Sequence, residues 1–207
     1  MSELVLFGPP QSSYMRTARW ACEEKGIGHE LKPVEFGSAE HLALHPYGKV
    51  PAMRHGDVHL FETSAIARYI DEQFDGPNLL PKTTGARAEA EQWISALNCY
   101  MYDHLVRSYA LQYIIPSHQG KEPNRETIDA TVPKMTRDLE LLESAYEGKD
   151  WIAGDSISLA DIFLAPALAT CAPFPEAQAV LETKPNLKRF MDAVNSRDAY
   201  KRIQPPR

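Results

Sequence analysis

The chain has 207 residues, 43% of them hydrophobic and 24% charged, with a formal net charge of −6. Those values fit a packed protein of one large or two modest domains and exclude a disordered chain. The basic residues are scattered without a basic run, which argues against nucleic acid or an anionic membrane surface as partner.

The start, Met1 to Phe7, lacks the basic segment and longer apolar core of a signal peptide. Leu4-Val5-Leu6-Phe7 is a short apolar run closed by Gly8-Pro9-Pro10, so it reads as a buried strand ending in a turn. From Tyr14 to Lys25 the pattern is helical. Met15, Ala18 and Cys22 share a face, Gly26 suits the C′ position, and Ser12 or Ser13 is the N-cap. His29 to Phe36 alternates well enough for a second strand, and strand, helix, strand predicts a parallel βαβ unit.

Ala39 to Leu44 is a short helical piece, followed by a turn at His45-Pro46-Tyr47-Gly48. Val50 to Arg54 reads as a strand whose proline, Pro51, must sit at its start or edge; a trans bond is the ordinary expectation there. His55-Gly56-Asp57 is a hairpin turn, Val58 to Phe61 the return strand, and 63–74 an amphipathic helix with Ile66, Tyr69, Ile70 and Phe74 on one stripe. The order β-α-β-α-β-β-α is a thioredoxin-like arrangement over residues 1–76. Residues 77–85 lack periodicity and read as a linker.

From 86 to 207 the pattern predicts an all-α domain. A long helix runs from Ala86 to about Tyr113, ended or kinked by Pro116. Arg125 to Tyr146 is another, with Pro133 in its first turns or at a kink. Ser158-Leu159-Ala160-Asp161 is a capping box with Ile157 and Ile162 as hydrophobic staple, starting a helix that runs to about Cys171. Asp161 is assigned to structure, at about 1 kcal/mol or more for its capping. Glu176 to Leu181 and Leu187 to Asn195 close the domain. The apolar stretch from Ile162 to Phe174, cut by Pro166 and Pro173, is too short to span a bilayer.

Several residues carry possible chemistry, each with a plainer reading beside it. Ser12 sits between the first strand and first helix, where open α/β folds bind ligands. Its hydroxyl can cap the helix or donate to a thiolate, and Ser13 competes for both roles. The start of the 63–74 helix suits a carboxylate, and Glu62 just outside it suits an ammonium; together they match the α end of an amino acid. The plainer reading makes Thr63 or Ser64 an N-cap and Glu62 a solvated acid. Val50-Pro51 is placed to offer backbone groups to a peptide ligand, and Lys49 can reach a ligand carboxylate or remain solvated. Tyr100, His104, Arg107 and Leu111, at i, i+4, i+7 and i+11, line either a pocket or an inter-helix core. Cys22, Cys99 and Cys171, odd in number and without C-x-x-C, argue against disulfides or a zinc site and are read as packed thiols in a reducing compartment. His41, His45, His55, His59 and His118 lack ligand spacing and are read as surface or turn residues.

Assembled, the sequence resembles a glutathione S-transferase of the serine-using classes (phi, theta or zeta) over essentially its whole length. The resemblance rests on Ser12-Ser13-Tyr14-Met15-Arg16, on His45-Pro46-Tyr47-Gly48-Lys49-Val50-Pro51-Ala52, on Leu60-Phe61-Glu62-Thr63-Ser64-Ala65-Ile66, and on Gly154 to Asp161. It implies a thioredoxin-like glutathione-binding domain and an all-helical domain with the electrophile pocket, usually in a homodimer. It implies Ser12 as thiol-activating residue, Val50 with a cis Pro51 at the cysteinyl backbone, Lys49 on the tripeptide, and Glu62 and Thr63 on the γ-glutamyl end. Tyr100, His104 and Arg107 are candidates for the electrophile pocket. Glutathione is then a cosubstrate, joined to a small hydrophobic electrophile in the cytoplasm, with no metal and no further cofactor expected. Phe7 stands where tyrosine-using classes carry their hydroxyl, Tyr14 stands where zeta enzymes carry cysteine, and neither 12 nor 13 is cysteine. Conjugation is therefore the reading. A dehalogenase, peroxidase or isomerase, or a non-catalytic glutathione-binding stress protein, is the alternative.

Overall fold

A computed structural model describes residues 3–205; Met1 and Ser2, part of the start read above, and the last two residues lie outside the described residues. By contacts the chain forms two compact units, one of the chain up to Lys82 together with Asn195 onward, the other of Thr83–Val194.

The first unit is built on a four-stranded sheet in the order β2-β1-β3-β4. β1 (Leu4–Phe7) is buried at every residue, as a central strand must be. It pairs parallel with β2 (Glu30–Lys32) and antiparallel with β3 (Ala52–His55), which pairs antiparallel with β4 (Val58–Phe61). β2 is shorter than the 29–36 run predicts, because Pro33 has no N–H to continue the ladder. α1 (Ser13–Lys25) is capped by Ser12 and closed by Gly26 at φ 68°, with the Ile27 N–H donating to the Cys22 carbonyl. α2 (Ala39–Leu44) and α3 (Thr63–Gln73) fall where expected, and α3 packs on α1.

Buried charge ties the unit together. The Lys25 ammonium donates to the Asp71 carbonyl (2.8 Å), the Asp71 carboxylate (3.3 Å) and the Pro77 carbonyl (3.1 Å). The same carboxylate accepts from the N–H groups of Leu79 (2.8 Å) and Leu80 (3.1 Å). One ion pair thus joins the ends of α1 and α3 to residues 77–80. α10 (Asp198–Arg202) has no counterpart in the sequence reading. It returns to α1 through the bidentate Arg197–Glu24 pair and a Trp20–Tyr200 ring contact.

In the second unit, α4 (Thr84–Ala96) continues through π-helical turns at Leu97–Met101 and Asp103–Ala110 into α5 (Leu111–His118). The helix thus passes Pro116 before ending. α6 (Arg125–Ala145) holds Pro133 inside it; α7 (Leu159–Cys171), α8 (Pro175–Leu181) and α9 (Pro185–Ser196) follow. α7 is buried on nearly all sides and forms the core of its unit. Its capping box is present, and Ile157 and Ile162 are both buried. Asp161 does more than cap. Its Oδ2 accepts from the Ser158 N–H (2.9 Å) and hydroxyl (2.8 Å), and its Oδ1 from the Ile152 N–H (2.9 Å) and the Tyr146 hydroxyl (2.9 Å).

Three readings are corrected. Cys22 and Cys171 are packed thiols, but Cys99 is exposed, its turn burying Leu97 and Met101 instead. His41 and His45 are buried, His41 through its ring bonds to Gly37 and Lys49 and His45 against the rings of Tyr47 and Phe61. None of the helices among the described residues is long and apolar enough to cross a membrane.

The Asp161 network sets a testable cost. Asp161→Ala removes the acceptor of four donors, two at the Ser158 cap and two from outside the helix, and leaves them buried. The expected loss is about 3 kcal/mol, well above a cap alone. Equilibrium urea unfolding measures it, and a loss under about 1 kcal/mol would confine Asp161 to the cap.

Candidate functional site

The sheet register decides what meets. Phe7 pairs with Ala52, and Ala52 pairs with Phe61. The residues just beyond these strand ends, Gly8, Pro51 and Glu62, therefore lie at one end of the sheet. It is the carboxyl end of β1, and α1 and α3 both begin there. Neither helix has an acid in its first turn, so the positive end of each dipole is uncompensated within its helix.

Ser12 occupies the turn from β1 to α1. Its backbone is extended (φ −60°, ψ 129°), its N–H donates to the Pro9 carbonyl, and its Oγ accepts the Met15 N–H at 3.4 Å. A hydroxyl used as acceptor keeps its own hydrogen to donate. Ser13 is the first residue of α1 and is buried, and its carbonyl accepts from the Thr17 hydroxyl. Gly8, at φ 142°, lets this turn lie against the next motif. A Cβ there would stand 2.9 Å from both Met15 Cε and Val50 Cβ.

The Val50-Pro51 bond is cis. The ordinary trans expectation fails here, and the cis bond implied by the family resemblance is present. The β3 ladder starts at Ala52, so Pro51 withholds no bond from it. Lys49 is exposed, and its carbonyl is 2.9 Å from His41 Nε2.

Glu62 is the non-glycine residue with positive φ among the described residues, at φ 68° and ψ 117°. Thr63 and Ser64 are not the N-cap. Glu62 holds that position, its carbonyl accepting the Ile66 N–H while its side chain makes no capping bond. Its carboxylate is exposed at the helix start and open to a ligand cation. Thr63 follows as a buried first helical residue. Behind Glu62, the Phe61 ring lies 5.1 Å from the buried His45 ring. Burial lowers the pKa of His45, with the Glu62 carboxylate opposing the shift and His41 and Lys49 adding to it.

The remaining candidates lie in the second unit and have separate partners. His104 Nδ1 is 2.7 Å from the Asp138 carboxylate, which is itself buried. The Arg107 guanidinium pairs with Asp103 (3.4 Å) and lies over the Tyr102 ring at 6.0 Å. Tyr100 is 66% exposed. The predicted stripe assumes 3.6 residues per turn, whereas Tyr100, His104 and Arg107 lie in the wider π turns. Gly8, His41 and His45 border this end of the sheet and are not singled out by the sequence reading. Gly8 was open to inference, as a glycine ending an apolar strand, whereas the two histidines carry no local signal.

Comparison with known proteins bears on the family and the fold. Family models described as "Glutathione S-transferase, N-terminal domain" and "Glutathione S-transferase, C-terminal domain" match residues 6–78 and 102–198. Glutathione S-transferase F9 of Arabidopsis thaliana is 31% identical over 96% of this chain and 94% of its own length. The apo structure of glutathione S-transferase III superposes with a TM-score of 0.89 at 28% identity, covering 100% of both chains. Glutathione S-transferase I from mais, solved with an atrazine glutathione conjugate, gives 0.85 at 27% identity, over 98% of this chain and 96% of that one.

The backbone of Glu62 yields a stability test. A side chain at positive φ outside the helical basins costs about 1–3 kcal/mol. Glu62→Gly should therefore raise stability by about 1 kcal/mol, after glycine's own entropy is set against the relief. Thermal melting checks this, and a lowered midpoint would show that Glu62 is unstrained.

Proposed function

The chain belongs to the glutathione S-transferase family, and from that membership we infer that it joins the sulfur of glutathione to a small hydrophobic electrophile. One observation carries the assignment of the site. The register of β1, β3 and β4 gathers the Ser12 turn, the Val50-Pro51 edge and Glu62 at one sheet end. A tripeptide with a thiol in its middle and an amino-acid terminus matches that set.

Ser12 donates its hydroxyl hydrogen to the thiolate. Lowering a thiol pKa of about 8.5 by ~2 units requires about 2.7 kcal/mol. A charge-assisted hydrogen bond of ~1.5–3 kcal/mol and a helix-dipole contribution of ~0.3–1 kcal/mol supply it. The proton leaves to water, and the sulfur lone pair forms the new bond to the electrophile as its leaving group departs or its double bond takes up the electrons. Val50 pairs with the cysteinyl backbone, Glu62 with the γ-glutamyl ammonium, Thr63 and the α3 start with its carboxylate, and Lys49 with the tripeptide. Tyr100, His104 and Arg107 serve the electrophile. No other cofactor enters this scheme. Phe7 is packed in a small core with Val5 and Ala52 and has no hydroxyl to offer, which supports the serine route.

The protein acts as a homodimer in a reducing cytoplasm. Supporting the dimer, Tyr47 (73% exposed) stands with its ring 6.2 Å from that of the exposed Phe61. Supporting the compartment, all three cysteines are free.

Replacing Ser12 by alanine should lower kcat for conjugation of a reactive aryl halide by about 10- to 100-fold, the ~1.5–3 kcal/mol of its hydrogen bond, with little change in glutathione affinity. Ser13→Ala should stay active; the reverse pattern would move the role to Ser13. The Glu62→Gly protein, though more stable, should bind glutathione more weakly by titration. Product analysis over an electrophile panel separates conjugation from dehalogenation, peroxide reduction and isomerisation. Tyr47→Ser should shift the sedimentation coefficient towards the monomer, and an unchanged dimer would remove this patch from the interface.

A further inference from the structure

His41 is 2% exposed, and both of its ring nitrogens are engaged. Nδ1 accepts the Gly37 N–H at 3.2 Å. A nitrogen that accepts carries no hydrogen, so the proton is on Nε2, which donates to the Lys49 carbonyl at 2.9 Å. The ring therefore spans α2, tying the residue two before the helix to the strap that follows it. Its own N–H is held by the Ser38 side chain at 3.1 Å, and Phe36 packs edge-on against it at 5.2 Å.

The Lys49 carbonyl and the Val50 N–H belong to one peptide unit. That unit is planar, and in the trans form its C=O and N–H point in opposite directions. Holding the oxygen to the buried imidazole thus turns the Val50 N–H away from the α2 loop. A carbonyl that accepts a hydrogen bond also polarises its peptide, which strengthens the N–H as a donor. Gly8 fixes the other side of the strap, because only a residue without Cβ lets Val50 lie so close to the β1–α1 turn.

We propose that His41 is a positioning residue, which through the Lys49 carbonyl aims the Val50 N–H at the peptide backbone of glutathione. The inference rests on the glutathione site proposed above. His41 touches neither the thiol nor the electrophile, so its effect falls on glutathione binding and leaves the chemical step alone.

Two substitutions divide the ring. Gln keeps a donor near Nε2, whereas Asn keeps an acceptor near Nδ1 and falls short of Lys49. Glutathione affinity by calorimetry should drop about tenfold in His41→Asn and recover to within about threefold of wild type in His41→Gln. In both, kcat at saturating glutathione should stay within twofold. A structural role alone would lower the melting temperature of the variants and leave glutathione affinity untouched, and that result overturns the proposal. So does a fall in kcat with unchanged affinity. Amide hydrogen exchange on the unaltered protein gives an arm that no folding defect disturbs. Saturating glutathione should slow exchange at the Val50 N–H, and unchanged exchange there refutes the aiming role. Wild-type protein that fails to bind glutathione would instead overturn the proposed function itself.

Discussion

The shared register of β1, β3 and β4 is the constraint on which the rest of the binding half depends. Each pairing is an ordinary ladder, and none involves a residue with chemistry. Because Phe7, Ala52 and Phe61 lie in one row, the chain must leave the sheet twice and enter it once at one place. A slip by one residue would turn every side chain of the strand to the other face and separate the three crossings. The buried run of β1 resists such a slip, since all four residues lose water on both faces. Specificity for a small ligand is therefore fixed first by apolar burial and only then by polar contacts.

The two kinds of polar group in the molecule are treated in opposite ways. Lys25, Asp71 and Asp161 are buried and surrounded by partners, so removing one member would strand the others. Glu62 is exposed, strained at φ 68° and without a capping bond. A group left in that state has its interactions still to make, and a ligand can supply them.

What was legible in the sequence was local. β1, α1 with its Ser12 cap, the hairpin at Gly56-Asp57 and the capping box at 158–161 each announce themselves within a few residues, and each is present. Pro33 cuts β2 short by the same local logic, although alternation alone overran it. The π turns were not legible, because an apolar spacing of three and four does not distinguish hydrogen bonds to i+4 from those to i+5. Nor was the return of α10, which hangs on Arg197 meeting Glu24 across most of the chain. Ser12, Pro51 and Glu62 could each be singled out, but their meeting depends on strand pairing between distant segments. The burial of His41 and His45 is of the same non-local kind.

The packing of Cys22 inside α1 and of Cys171 at the end of α7 has a chemical consequence. Burial pushes both thiols up to about 12. At neutral pH both therefore stay as thiols, and disulfide exchange proceeds through the thiolate. A protein that handles a reactive thiol in a pool of its oxidised form is exposed to mixed-disulfide formation on its own sulfurs. Here the helices keep those two sulfurs protonated, while in the proposed scheme the Ser12 turn favours ionisation of the ligand's. The same fold thus separates the sulfur that is meant to react from two that are not.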